Sequence, residues 1–202
     1  MAAKVSLPNN QQGESAGQVF LPHTMSLDGF AAGPNISHAE PMGEGGERLH
    51  AWMADDQELA TEFFAGTGAF IIGRRTFDLG LENWGEDGTY KMPCFVVTHR
   101  EHEVVRRGPT TFTFVVDGIA SALAQARAVA GEKNVCLLGG ATLAQHYLAA
   151  GLLGEIHLHI APVLLGAGTR LFDNLGGAPI ELERTRQIAT PNAAHLRYRV
   201  VK

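Results

Sequence analysis

Val135-Cys136-Leu137-Leu138-Gly139-Gly140-Ala141-Thr142 is the stretch whose reading decides the fold. Four apolar residues without a polar break read as a strand buried on both faces. Two glycines turn the chain, and Gly140 to Ala150, ended by Gly151, reads as a helix. A strand that passes through glycines straight into a helix is a building unit of an α/β sheet. Glycine there lets a ligand approach the backbone, and Thr142 is placed to cap the helix; a plain tight turn is the alternative.

The same alternation extends outward on both sides. Gln18 to Ser26, Ala69 to Ile72, Cys94 to Thr98, Thr111 to Val116 and Glu155 to Ala161 read as strands, with Pro22 suggesting an edge or bulge. Ile119 to Ala130, after the Asp117-Gly118 turn, reads as a helix, and Arg74 to Leu79 starts another. Glu47 to Ala65 reads as helical with a break near Asp55–Asp56. Residues 27–46 are dense in glycine and proline and read as a long irregular loop. Two late strands, near Ile180–Ile188 and His195–Val201, flank Pro191 and Asn192 as a hairpin. The expected fold class is therefore α/β: a mixed, mostly parallel sheet flanked by helices, with an antiparallel C-terminal hairpin.

The 202 residues carry a formal net charge of −5, 45% hydrophobic and 18% charged residues. One domain over residues 18–202 is expected, with 1–17, rich in Asn, Gln, Gly and Ser, as a disordered tail. No basic block is present, so nucleic acid is not an expected partner. Arg74, Arg75, Arg100, Arg106 and Arg107 remain available to hold a small anion. Cys94 and Cys136 lie in apolar runs and read as buried thiols. Neither a signal peptide nor a run of about 18 apolar residues occurs, so a cytoplasmic protein without a membrane partner is expected.

Several segments sit at carboxyl ends of strands, the edge where open α/β sheets bind ligands. Ile72-Gly73-Arg74-Arg75-Thr76 opens a helix with two cations and a hydroxyl, suited to phosphate or to plain solvation. Thr98-His99-Arg100 follows a buried strand abruptly and suits an adenosine phosphate, or solvent. Ala161-Pro162-Val163-Leu164-Leu165-Gly166-Ala167-Gly168 is an apolar, glycine-rich turn; no G-x-G-x-x-G occurs, which disfavours a Rossmann dehydrogenase. Asp28, in Ser26-Leu27-Asp28-Gly29, either positions a substrate or relays a proton, or simply makes an Asp-Gly turn.

Together these segments resemble the dihydrofolate reductase-like superfamily, in particular the reductase domain of the bifunctional riboflavin-biosynthesis deaminase–reductase. The resemblance covers about residues 18–201 and rests on Met25-Ser26-Leu27-Asp28-Gly29, Gly73-Arg74-Arg75-Thr76, Gly139-Gly140 and Ala161-Pro162-Val163-Leu164-Leu165-Gly166. It implies NADPH across the sheet edge. Gly73, Arg74, Arg75 and Thr76 would bind its phosphates; Thr98, His99 and Arg100 would face the adenosine 2′-phosphate. Gly139, Gly140, Ala141, Thr142 and Leu143 would underlie the pyrophosphate, a cis Gly139–Gly140 bond being compatible with that. Thr24, Ala31 and Ala32 would approach the nicotinamide. Trp52, Pro162, Leu164, Leu165 and Gly166 would meet the substrate, and relatives of the riboflavin pathway imply a homodimer.

The implied activity is hydride transfer from NADPH to a C=N or C=O carbon of a small heterocycle, similar to reduction of the ribosylamino-pyrimidine intermediate of riboflavin synthesis. The proton would come from Asp28, Asp55, Asp56 or water. Folate reduction, with Asp55 or Asp56 facing a pteridine, and a non-catalytic NADPH-binding module are the alternatives. The zinc motif of the deaminase half does not occur, nor does the Pro-Trp pair of true dihydrofolate reductases, and Pro41–Gly46 enlarges the first loop. His157 and His159 share a strand face that reads as surface or interface rather than as a metal site. Trp52, with His50, either lines the substrate pocket or packs in the core.

Overall fold

The computed structural model describes residues 17–62, 64–86 and 90–202. Its strands in chain order are β1 (Val19–Ser26), β2 (Phe30–Ala32), β3 (Thr67–Gly73), β4 (Cys94–Val97), β5 (Val105–Arg107), β6 (Thr110–Val115), β7 (Asn134–Gly139), β8 (Glu155–Ala161), β9 (Thr169–Arg170), β10 (Leu182–Ala189) and β11 (Ala194–Val200). The helices are α1 (Trp52–Asp55), α2 (Gln57–Glu62), α3 (Arg74–Gly80), α4 (Gly118–Ala130) and α5 (Ala141–Ala149), with a 3-10 turn at Gly46–His50.

Parallel ladders join β8, β1, β7, β3, β4 and β6 in that spatial order. Antiparallel β5 closes one edge, and the β10–β11 hairpin extends the other, completing nine strands. The mixed, mostly parallel sheet and its C-terminal hairpin are as the sequence predicts.

Both faces of the centre are covered, which is why the central strands are unbroken apolar runs. On β3, Ala69 and Ile71 belong to one core with Ala122 and Ala126 of α4 and Ala144, Tyr147 and Leu148 of α5. Phe70 and Ile72, pointing the other way, belong to a second core with Phe77 of α3. Cys94 and Cys136 join that second core as free, buried thiols. The predicted helix break falls at Asp56, whose backbone (φ −108°, ψ 53°) separates α1 from α2.

Four local expectations need correction. Pro22 is not at an edge, because β1 is central; the β1–β7 ladder ends at Phe20, so that side needs no donor at Pro22. Residues 27–46 are not wholly irregular: Phe30–Ala32 pairs with Thr169–Arg170 as a two-stranded sheet. Thr142 does not cap α5, because Gly140 precedes the helix and Thr142 is its second, exposed residue. The face of β8 bearing His159 is covered from within the chain, since Trp52 stacks on that ring. The predicted disordered tail lies outside the described residues, apart from Gly17. No helix among the described residues is long and apolar enough to cross a membrane.

Candidate active site

β1 and β7 share a ladder only at Val19–Val135 and Phe20–Cys136. Beyond those pairs β1 continues beside β8, and β7 beside β3 as far as Gly139. The carboxyl halves of two adjacent strands thereby part, at the edge where α/β sheets take ligands. Thr24 lies on the β1 side, and Gly139–Gly140 on the β7 side.

At the β7 side the glycines bring two segments together. Gly139 has φ +150°, a conformation L side chains rarely adopt, and the Gly139–Gly140 peptide is cis. A β-carbon built on Gly140 would lie 3.3 Å from Thr76 Oγ1, and one on Gly73 would lie 3.7 Å from Gly140 N. The first internal bond of α5 runs from Ala144 N–H to Gly140 O. The N–H groups of Ala141, Thr142 and Leu143 therefore precede the helical ladder, with the positive end of the helix dipole. Gly73 to Thr76 and Gly139 to Leu143 thus form one cradle with the character an anion needs.

Beside it lies an open cavity of ≈ 300 Å³ lined by Arg74, Asp78, Val97, Thr98, His99 and Arg100. Thr98 shapes its floor: buried, its hydroxyl accepts the Arg100 N–H at 3.2 Å. Arg74 is held by Asp78 (Nε to Oδ1, 2.7 Å) and lies 5.5 Å from the Phe114 ring centre. The other predicted arginines are not in this cavity. Arg75 donates to Ile36 O at 3.4 Å in the first loop, and Arg106 donates to Thr111 Oγ1.

Past the end of β1, Asp28 Oδ1 accepts Leu165 N–H at 3.1 Å and Oδ2 accepts Gly166 N–H at 2.7 Å. These bonds, led by one with Ser26, hold the carboxyl below its ordinary range. The local Asp-Gly turn forms as well, with Gly29 N–H bonded to Ser26 O, and the lowered carboxyl stays ionised. The fastened turn presents Leu164, which is exposed, along with Pro162, Gly166 and half-buried Leu165. Exposed Leu27 adjoins it through its N–H bond to Val163 O. Ala31 and Ala32 on β2 lie behind this rim, Ala31 in the core.

Two other predictions resolve differently. Trp52 is fully buried, so it takes the core role rather than lining an open pocket. Asp55 and Asp56 face the C-terminal hairpin: Asp55 Oδ2 accepts from Asn192 Nδ2, and Asp56 Oδ2 lies 3.5 Å from His195 Nε2.

The residues that sequence reasoning missed surround Trp52. Its Nε1 donates to Thr24 Oγ1 at 3.2 Å, and its ring stacks on His159. His159 and His195 share an Nδ1–Nδ1 hydrogen bond of 2.7 Å. Burial, then the neighbouring His195, pushes His159 down to about 3. Burial also lowers His195, with Asp56 pulling the other way. Period-two alternation exposes a same-face His pair on one strand, but the β8–β11 register that brings His195 to His159 has no local signal.

The family model described as the RibD C-terminal domain matches residues 18–194. The chain belongs to that family. Among curated proteins, the uncharacterised protein YyaP of Bacillus subtilis (strain 168) is 28% identical over 167 residues, spanning 77% of this chain and 80% of that protein. A Shewanella sp. PV-4 protein ascribed to riboflavin biosynthesis superposes with a TM-score of 0.71 at 22% identity, covering 93% of this chain and 100% of its own. Dihydrofolate reductase from Enterococcus faecalis, solved with NADP(H), gives 0.59 at 13% identity over 93% and 98%. The fold of this RibD C-terminal domain protein is dihydrofolate reductase-like.

Proposed function

We propose that this chain is an NADPH-dependent reductase acting on a C=N or C=O carbon of a small heterocycle, akin to pyrimidine reduction in the riboflavin pathway. The observation that carries this is the cradle formed by Gly73 to Thr76 and Gly139 to Leu143 beside the Arg74–Thr98–His99–Arg100 cavity. The residues fit the cofactor: the N–H groups of Ala141, Thr142 and Leu143 at the start of α5, with Arg74 and Arg100 at the adjoining cavity, are the donors its phosphates need. In this assignment the cradle holds the pyrophosphate. Thr98, His99 and Arg100 take the 2′-phosphate, and Thr24, Ala31 and Ala32 face the nicotinamide.

Bound NADPH supplies the hydride. The chain orients it and sets the field around it. Asp28 fixes the Pro162–Gly166 turn, whose exposed Leu164 and half-buried Leu165 offer an apolar rim to a flat ring. With Asp28 bonded to two backbone N–H groups and Asp55 and Asp56 turned to the hairpin, we assign the proton to water. That placement of Asp55 and Asp56 also weighs against a folate reductase, which needs a carboxylate facing the pteridine.

NADPH oxidation measured with a ribosylamino-pyrimidine, with simple cyclic imines and carbonyls, and with dihydrofolate tests the reading. Turnover is expected with the first classes and not with dihydrofolate. NADPH binding without turnover on any of them would contradict a reductase and favour a binding module.

A further inference from the structure

Trp52 is held from three directions. Its ring stacks on His159 with centroids 4.3 Å apart and planes 13° from parallel, and it meets His195 edge-on at 5.0 Å and 73°. Its N–H is taken up by Thr24 Oγ1. The two imidazoles are bonded to each other, and His195 Nε2 reaches Thr190 Oγ1 at 3.3 Å and Asp56 Oδ2 at 3.5 Å. Ala193, in the hairpin turn, completes the packing on the indole. The chain of contacts therefore runs from the hairpin turn through β11, β8 and α1 to the carboxyl half of β1.

Aliphatic side chains would bury an indole as well as histidines do. What they would not do is fix its plane and its rotation, because apolar packing is non-directional. Two rings bonded to each other, one stacked on the indole and one edge-on, define both. Burial holds both imidazoles below their ordinary range, and the Nδ1–Nδ1 bond needs at least one of them neutral, since one ring must accept. With the indole N–H pointed at its oxygen, the Thr24 hydroxyl has its own hydrogen left to donate.

Resting on the reading that the nicotinamide lies at Thr24, we propose that His159 and His195 are positioning residues for the cofactor: they fix Trp52, and Trp52 directs the Thr24 hydroxyl toward the nicotinamide carboxamide. Neither histidine touches the cofactor. The hairpin is thereby part of the cofactor site at a distance.

The test uses the full chain carrying Trp84→Phe, which leaves Trp52 as its only tryptophan. Trp52 emission reports the indole, and affinities for NADPH and for 2′,5′-ADP, which lacks the nicotinamide half, report the two ends of the site. In His159→Leu and His195→Leu the indole stays buried, so its emission anisotropy falls as the less fixed ring rotates, without a red shift. NADPH binding weakens about tenfold, one hydrogen bond's worth, while 2′,5′-ADP binding is unchanged. His195→Gln, which keeps a polar group beside His159, restores most of the NADPH affinity. Trp52→Phe, which keeps the packing and loses the N–H, gives the same selective loss should a leucine variant fail to fold. Equal weakening of both ligands, or no weakening of either, overturns the positioning role. Unmodified protein that binds neither ligand overturns the cofactor reading itself and this proposal with it, a result distinct from failure of the positioning.

Discussion

Asp28 Oδ2 accepts the backbone N–H of Gly166 at 2.7 Å, tying the end of the first strand to a turn 138 residues away. One carboxylate thereby sets the shape of the substrate rim. Asp28→Ala removes both acceptors and is expected to lower the melting temperature and raise KM. Asp28→Asn keeps one acceptor oxygen and is expected to hold kcat within about tenfold of wild type. A general acid contributes roughly 10²–10⁴-fold, so a loss of that size in the Asn variant would return Asp28 to the role of acid.

The histidine pair predicts a pH dependence of stability. His159 binds a proton more weakly folded, at about 3, than in the unfolded chain, whose ordinary value is 6.5. Between those values the unfolded state holds more protons, so stability falls as pH drops from about 6.5 toward 3. The steepest contribution is at most about 1.4 kcal/mol per pH unit for one such group. Chemical denaturation at pH 7 and pH 5 should show a smaller pH difference in His159→Gln than in wild type. An unchanged difference would show that His159 titrates alike in the folded and the unfolded chain.

Gly168 joins the two-stranded sheet to the site rim under severe constraint. Its φ is +135°, and a β-carbon there would lie 2.1 Å from Ala32 O. Gly168→Ala is expected to destabilise the protein by on the order of 1–3 kcal/mol, through backbone strain and displacement of β2. A melting temperature equal to wild type would mean that β2 and β9 yield freely.

We propose a homodimer, though not through the histidine face of β8, which the chain itself covers. Ile160, Leu196, Tyr198 and Val200, on the other face of β8 and β11, pack against the core and are only half-buried by it, and the part left exposed is the surface we assign to a second copy. Light scattering should give twice the chain mass at micromolar concentration. A mass near 21.6 kDa would contradict it.

What the sequence made legible was local. The apolar runs of β3, β4 and β7, the alternation of β8, the glycines at Gly73 and Gly139–Gly140, and the break at Asp56 all follow from neighbours within a few residues. The strands β2, β5 and β9 escaped because two or three residues carry no period; β2 exists only because Thr169–Arg170 lies against it. Pro22 misled because its neighbours in space, not in sequence, decide whether a donor is missed. The predicted phosphate residues converge, but Arg75 leaves the group by reaching Ile36 O. The Trp52–His159–His195 cluster was hidden because it depends on the register between β8 and β11.

In the proposed assignment the cavity of Arg74, Thr98, His99 and Arg100, with the adjoining glycine cradle, binds the phosphates of NADPH. Calorimetric titration of NADPH and NADH at one salt concentration, on wild type, Arg100→Ala and Gly140→Val, tests it most directly. NADPH should bind wild type at least about tenfold more tightly than NADH, the worth of one charge-assisted bond. Arg100→Ala should erase most of that preference, and Gly140→Val, confirmed folded by circular dichroism, should lose both ligands. Equal affinities for the two nucleotides, or a folded Gly140→Val that binds NADPH as wild type does, would contradict the account.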